Sequence, residues 1–446
     1  MITVVGTGTG APLPDGVLAG ARLVVGGRRH LESAPVPADA EQVVLGPLAP
    51  ALDVIERHLE KDCRVVVLAS GDPGFFGIVR VLAERFGAER LDVRAGVSSV
   101  AAAFARAGLP WDDAVVVSAH GRDLRTAVNV CRARPKVAVL TGPGAGPAEI
   151  GAALAGRAAA EIGAALGGRA AAEPSWPDAP GGGAADRYGP APLGRVLVVA
   201  SGLGTGDERV ERVTPSEAAA RDWGSAVSVV LCLDESRALG GVRTVAGPAT
   251  GPAQWALEED AFTHRDSMIT KSEVRALALA RLGPRLGELV WDVGAGSGSV
   301  AVECARFGAA VVAVEKAVDA VERIAANARA HDVYVDAVHG SALDVLPRLP
   351  DPDAVFVGGG GRELPAVVTA CARRARRTVV VAMAALDRVP AAREALVGAG
   401  FSCDGVLLQS SRLAPLPGDV MRLAATNPVF LLWGNRTPVP QEGVAQ

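Results

Sequence analysis

The stretch Val290 to Lys316, VWDVGAGSGSVAVECARFGAAVVAVEK, runs from an apolar segment through glycines at alternate positions into a helical pattern, then into a second apolar segment ending on Glu315. This order of strand, turn, helix and strand reads as an α/β fold, and open α/β sheets bind ligands outside the carboxyl ends of their strands. Asp292, Gly294, Ala295, Gly296, Ser297 and Gly298 fall on the strand-to-helix turn, where glycine lets the backbone approach a ligand closely. Glu315 ends the next strand about 20 residues later, where a carboxylate can accept both hydrogen bonds of a ribose diol. NAD and S-adenosylmethionine both carry that ribose. A dinucleotide favours G-x-G-x-x-G, with its pyrophosphate on the helix N-terminus. The observed spacing, with Asp292 ahead of it, fits a sulfonium nucleoside with a free amino acid end.

The 446 residues exceed one ordinary core, so two or three domains are expected. Hydrophobic residues at 49% and charged residues at 21% give the balance of a soluble globular chain. The opening MITVVGTGTG reads as a first strand rather than a secretion leader, and the longest apolar runs fall short of the roughly 20 residues a membrane helix needs. A cytoplasmic protein without a membrane partner is expected. Six scattered cysteines without a C-x-x-C pair predict reduced, buried thiols and no metal site. A net charge of -4 and only 4% aromatic residues argue against nucleic acid and for a small-molecule ligand.

From Met1 to about Leu140 the runs ITVVG, RLVVGG, RVVVLASGDP, AVVVSAHG and KVAVLTG alternate with helical patterns and predict one α/β lobe. A near-exact tandem repeat, AEIGAALAGRAA then AEIGAALGGRAA, opens an Ala/Gly-rich insertion of about 148–192; strands resume over Leu193–Asp234 as a second lobe. The expected division is a first domain 1–240, a linker 241–260, a second domain 261–436 and a tail 437–446. Thr270, with Glu273 three residues on, predicts a helix start. The runs RTVVVAMA, CDGVLLQ and NPVFLLWG are expected as an antiparallel tail of the second sheet.

The first domain carries VVGTGTG, ASGDPGFFG, AGVSSVAAAFARAG and SAHGRD in that order. The second adds SMITKSEVRAL, VFVGGGG and NPVFLLWG to the glycine turn. The first set resembles the tetrapyrrole methylase family, in its branch acting on late precorrins; the second resembles the partner methyltransferase of cobalamin biosynthesis. The chain therefore resembles a fusion of the two. The resemblance implies an N-terminal two-lobed tetrapyrrole methylase fold and a C-terminal Rossmann-like class I methyltransferase fold. It implies two S-adenosylmethionine sites, methylation of a precorrin at carbons 5 and 15, loss of the ring C acetate carboxyl, and a homo-oligomer, with a tetramer known for the separate partner enzyme. By motif, Gly6, Gly8, Gly71, Asp72, Pro73, Gly74, Ser98 and Ser99 would line the first donor site. Thr270, the Asp292–Gly298 turn, Glu315, Lys316, Ser341 and Ala342 would line the second. Arginine holds carboxylates bidentately, so Arg265 and Arg412, with His120 and His264, are candidate contacts to the acidic substrate. Three segments depart from the family pattern: GTGTGAP for Gly-Pro-Gly, Ser341 for aspartate, and GGGGREL for Gly-Ser-Gly-Gly. Two other readings stay open here: an isomeric or cobalt-containing substrate, and a chain whose N-terminal half only binds substrate or product.

Overall fold

The computed structural model describes residues 1–9, 12–155, 194–224, 226, 228–240, 244–247, 251–265, 269–359 and 361–436. Most of the Ala/Gly insertion, parts of the 241–260 connection and the tail 437–446 lie outside them. The chain divides into two compact units, Met1–Leu124 with Pro135–Ala155 and Arg195–Pro248, and Ala249 onward with Arg125–Arg134. Among the described residues no helix is long and apolar enough to cross a membrane.

In the first unit, β1 (Ile2–Thr7), β2 (Leu23–Gly26), β3 (Glu41–Val44), β4 (Val65–Ser70) and β5 (Leu91–Arg94) form an all-parallel sheet in the order β3-β2-β4-β1-β5. Val4, Val5, Val66 and Val67 are buried on both faces, as the continuous apolar runs of a helix-covered parallel sheet require. A second sheet contains β6 (Val115–Ser118), β7 (Lys136–Leu140), β8 (Arg195–Ser201), β9 (Arg209–Val213) and β10 (Ser228–Asp234), ordered β6-β7-β10-β8-β9. Here the expected lobe boundary is corrected. AVVVSAHG and KVAVLTG belong to the second sheet, because β10 inserts antiparallel between β7 and β8 and needs both neighbours for its buried backbone. Lys136, buried at the start of β7, donates to the Asp113 carboxylate at 2.5 Å and the Pro110 carbonyl at 2.9 Å. Its charge would otherwise be costly to bury.

In the second unit, β11 (Leu289–Val293), β12 (Ala310–Glu315), β13 (Asp336–His339), β14 (Ala354–Val357), β15 (Thr378–Met383), β16 (Phe401–Leu408) and β19 (Val429–Arg436) form one sheet, ordered β13-β12-β11-β14-β15-β19-β16. Among the described residues, β17 (Ser411–Leu416) and β18 (Val420–Ala425) pair only with each other. RTVVVAMA and CDGVLLQ, expected as antiparallel, are β15 and β16 and run in the direction of β14; β19 is the reversed strand of this sheet, antiparallel to β15 on one side and β16 on the other. The helix Leu364–Arg374 makes the crossover that a parallel neighbour demands. Thr270 is not the helix cap either. The helix Ser272–Leu282 starts after Lys271, and its first N–H, on Ser272, is accepted by the distant Glu259 carboxylate at 2.9 Å.

The run into this unit is fixed by a buried ion pair. Arg275 and Glu303 are both fully buried and 3.5 Å apart. The Arg275 guanidinium donates to the Thr270 and Leu257 carbonyls and lies 4.8 Å from the Phe262 ring centroid. Glu303 accepts the Leu257 N–H at 2.8 Å, so both backbone groups of Leu257 are gripped by one pair. Glu303 also accepts from Arg306 at 3.0 Å, so it is removal of Glu303 that strands a buried charge, on Arg275, at a cost of about 3–5 kcal/mol. Glu303→Gln is expected to lose about that much in chemical denaturation, and Glu303→Gln with Arg275→Met to regain a substantial part. Equal losses in the two variants would show that the stranded charge is not the cause.

Candidate functional site

At the carboxyl end of β11 the chain turns through Gly294, Gly296 and Gly298, all at positive φ (72°, 58° and 73°). Their surroundings differ. A Cβ on Gly294 would stand 2.9 Å from the Gly359 backbone after β14, and one on Gly298 2.9 Å from Ile324, whereas one on Gly296 would meet nothing within 4 Å. The outer two glycines are thus packing requirements, and the middle one borders open space. Glu315 receives the Gly296 N–H at 2.9 Å on one oxygen and the Lys316 and Ala317 N–H groups at 2.9 and 3.1 Å on the other. Beneath the turn, Asp292 accepts the Ala301 N–H at 2.9 Å, capping the helix Ser299–Arg306, while its other oxygen is buried without a partner. Complete burial, opposed only by that one hydrogen bond, pushes its carboxyl up to about 7. Ser297 is buried. Ser341 precedes the short helix Ala342–Val345 beside β12, since His339 pairs with Glu315 across the sheet. Glu315, Lys316, Ser341 and Ala342 therefore share one edge of the turn.

The first unit builds a comparable turn by a tighter approach. A Cβ on Gly6, at the end of the central strand β1, would lie 2.0 Å from the Gly71 carbonyl after β4 and 2.4 Å from the Gly96 nitrogen after β5. Gly71 N–H donates to the Thr7 carbonyl at 2.8 Å. Asp72 folds its own loop by accepting the Gly74 N–H at 2.8 Å, with Pro73 buried between them. Ser98 accepts the Ala101 N–H at 3.0 Å as N-cap of the helix Ser99–Ala107. Phe75 and Phe76 stand exposed beside this turn, their rings 5.1 Å apart edge to face.

The family model described as Tetrapyrrole (Corrin/Porphyrin) Methylases matches residues 1–173, and the Precorrin methyltransferase domain matches residues 260–425. Precorrin-6Y C(5,15)-methyltransferase [decarboxylating] of Sinorhizobium sp is 34% identical over 78% of this chain and 74% of its own length. The chain belongs to that family. The protein of the same name from Mycobacterium tuberculosis is 32% identical over 68% of this chain and 66% of its length. Cobalt-precorrin-7 C(5)-methyltransferase of Salmonella typhimurium is 34% identical over 35% of this chain and 79% of its length. Precorrin-6Y C(5,15)-methyltransferases are S-adenosylmethionine-dependent, decarboxylating enzymes of cobalamin biosynthesis, and the glycine turns described above lie inside the two matched regions.

The remaining candidates separate in space. His264 is half-buried, with its Nδ1 buried and without a partner; Arg265 beside it is exposed. His120 is exposed, against Gly142. Arg412 is differently employed than expected for a substrate contact. Its guanidinium donates to Glu259 at 2.6 and 3.0 Å, to Glu273 at 2.6 and 2.8 Å and to Ser272 at 2.9 Å, and it holds the Glu259 carboxyl down at about 2. Among described residues, no group of three metal-ligating side chains is found.

Sequence reading missed three residues at these turns. The Asn327 amide accepts the Thr263 N–H and donates to the Thr263 and Ser297 carbonyls at 2.8–2.9 Å, tying the segment before His264 to the glycine turn. Gly96 completes the first-unit approach, and His30 lies under Gly8. The rule that ligands gather at strand ends would have marked Gly96 and His30, both just past a strand.

Asp292 supplies a pH test. A carboxyl raised from 3.8 to about 7 keeps its proton in the folded state while the unfolded chain ionises, so the folded state loses stability as pH rises through that window and gains it back below. Asp292→Asn is therefore expected to raise the Tm of the ligand-free chain relative to the parent by several degrees at pH 8, by progressively less as pH falls, and by little below pH 4. An offset independent of pH would contradict a buried proton at this site.

Proposed function

We propose that each unit is a separate methyltransferase with its own S-adenosylmethionine site, the first acting at carbon 5 of a late precorrin and the second at carbon 15 with loss of the ring C acetate carboxyl. One observation supports it most: both units carry strand-end backbone stripped of side chains, at Gly6–Gly71–Gly96 and at Gly294–Gly296–Gly359. The domain division expected from the sequence is part of this proposal, as is a cytoplasmic location. The donor fits the second turn. Open space borders Gly296, Glu315 Oε2 has one protein partner and a lone pair left for a ribose hydroxyl, and the unpartnered oxygen of Asp292 matches the chemistry of an ammonium end. Thr270, Lys316, Ser341 and Ala342 border the rest. In the first unit Gly6, Gly8, the Gly71–Gly74 loop and Ser98–Ser99 line the other donor.

When bound, S-adenosylmethionine supplies a methyl group activated by sulfonium charge. The chain's own task is placement, since macrocycle carbons of enamine character are already nucleophilic and holding reactants in line lowers the barrier substantially. Phe75 and Phe76 offer exposed apolar surface to the ring, and His120, His264 and Arg265 are its candidate polar contacts. Decarboxylation leaves an electron pair that enters the conjugated ring, so the second unit needs to orient the acetate rather than attack it. A metal-free substrate follows the Sinorhizobium and Mycobacterium relatives; the cobalt form is attached to a relative matching 35% of the chain.

Calorimetric titration with S-adenosylhomocysteine is expected to give two sites per chain. Glu315→Ala should weaken one of them at least tenfold, about 1.4 kcal/mol, and abolish carbon 15 methylation while carbon 5 methylation persists. Loss of both activities in a folded variant would refute independent sites.

We further propose a homo-oligomer joined through the β17–β18 hairpin. Arg412 faces its own unit, and the opposite face carries Leu413 and Leu423 directly paired, with Pro415 and Met421 beside them, mostly exposed. Both outer edges of this two-stranded ladder are unpaired, and a second copy offers the same edge and apolar face in return. Leu413→Asp with Leu423→Asp is expected to lower the mass in sedimentation without lowering helix content. An unchanged mass, or a parent that is already monomeric, would remove the hairpin from this role.

A further inference from the structure

His30 sits in the short helix Arg28–Ser33 just past β2, buried, with its ring under the Gly8 turn. A Cβ on Gly8 would stand 2.5 Å from His30 Cε1 and 3.2 Å from Nδ1, so only glycine leaves the ring edge in reach of the turn. Its Nε2 lies 2.8 Å from Ser70 Oγ at the end of β4 and 3.4 Å from Arg29 Nε. Arg29 Nη2 also donates to Ser70 Oγ at 2.7 Å.

These bonds determine the tautomer. Ser70 Oγ accepts from Arg29, which leaves its own proton to donate, and Arg29 Nε–H can only donate. Both point at Nε2, which must therefore be the unprotonated nitrogen. The ring proton is on Nδ1, which has no hydrogen-bond partner among the described residues and borders Gly8. Burial first, then the Arg29 charge, lower the imidazole to about 4, so at neutral pH it is neutral and presents one N–H.

We infer that the Nδ1–H of His30 is a fixed hydrogen-bond donor to a carboxylate of a ligand bound over the Gly6–Gly8 turn, with the neighbouring Arg29 charge favouring an anion. The inference rests on the first unit being a binding site, as proposed above. Two ligands carry such a group: the amino acid end of the methyl donor, and the acid side arms of the macrocycle. Arg29 and Ser70 act through His30 and are positioning residues.

Asparagine places an amide nitrogen, a donor, near Nδ1, and glutamine places its amide oxygen, an acceptor, near Nε2. His30→Asn should keep the contact, whereas His30→Gln should keep the link to Ser70 and lose it, as should His30→Ala. A hydrogen bond to a charged group corresponds to roughly ten- to hundredfold. If the donor carboxylate is bound, His30→Gln weakens S-adenosylhomocysteine at the first site by that factor and leaves 5′-methylthioadenosine, which lacks the amino acid, unaffected. If a side arm is bound, nucleoside binding is unchanged and the KM for the precorrin in carbon 5 methylation rises by that factor at constant kcat. The second site in the same chain reports folding. Glutamine and asparagine variants that both match the parent in every titration and in KM would overturn the inference. So would a nitrogen-15 histidine spectrum of the full chain, assigned with His30→Ala, that shows an Nε2–H tautomer or an imidazolium at pH 7. Absence of a first nucleoside site in the parent would instead defeat the two-site reading, and the spectrum would still decide the tautomer.

Discussion

The structure depends most on how closely its parallel strands deliver backbone to backbone at their carboxyl ends. At Gly6 the neighbours of a would-be Cβ are the carbonyl of Gly71 and the nitrogen of Gly96, and at Gly294 they are backbone atoms of Gly359. Such atoms cannot swing aside as a side chain does. They are held by the ladders that register Ile2 to Thr7 against Val65 to Ser70 and Val290 to Val293 against Ala354 to Val357. Any side chain there must push the strand ends apart, so glycine is a condition of the sheet as much as of the ligand. What remains at the strand ends is a surface of peptide groups, with recognition left to the few side chains that reach it.

Those side chains are set in place by polar anchors rather than by the apolar cores. Leu257 is gripped through both backbone groups by Arg275 and Glu303, and Thr263 through both of its own by Asn327. Apolar packing is non-directional and would allow these segments to slide. Two hydrogen bonds to one residue's N–H and carbonyl do not. The pair Arg275–Glu303 contributes little net stability against a hydrophobic replacement, so its physical value lies in register. Arg412 performs a similar service for the hairpin, by fastening it to the start of the helix Ser272–Leu282.

The second glycine turn was fully legible, because strand, turn, helix and acidic strand end are all local patterns. Parallel strands were legible for the same reason: β1, β4, β11 and β12 are short unbroken apolar runs. What failed was non-local. β6 and β7 read like further strands of the first sheet until β10, far along the chain, inserts beside β7. Thr270 and Glu273 have the spacing of a capping box, but Arg412 and Glu259 compete for the same groups and the helix begins two residues later. Residue type alone points to Arg412 as a substrate contact, and only the fold reveals its three carboxylate neighbours. Asn327 is one of several polar residues in its helix, and sequence gives no reason to select it.

Charge at the second turn carries the final step. Asp292 and Glu315 lie close enough that the Glu315 charge adds to burial in raising the Asp292 carboxyl. A turn that concentrates two carboxyl groups is poorly satisfied by water alone, because the Asp292 oxygen is sealed from it. A ligand with a cationic end and a hydroxylated ring would lower both costs at once, and would ionise Asp292 as it bound. Binding and proton release are then coupled at this turn. In the first unit the corresponding side chain is a neutral imidazole beside an arginine, with no such proton to release at neutral pH. If both units take the same donor and His30 meets its carboxylate, the two turns hold opposite charges of one amino acid end.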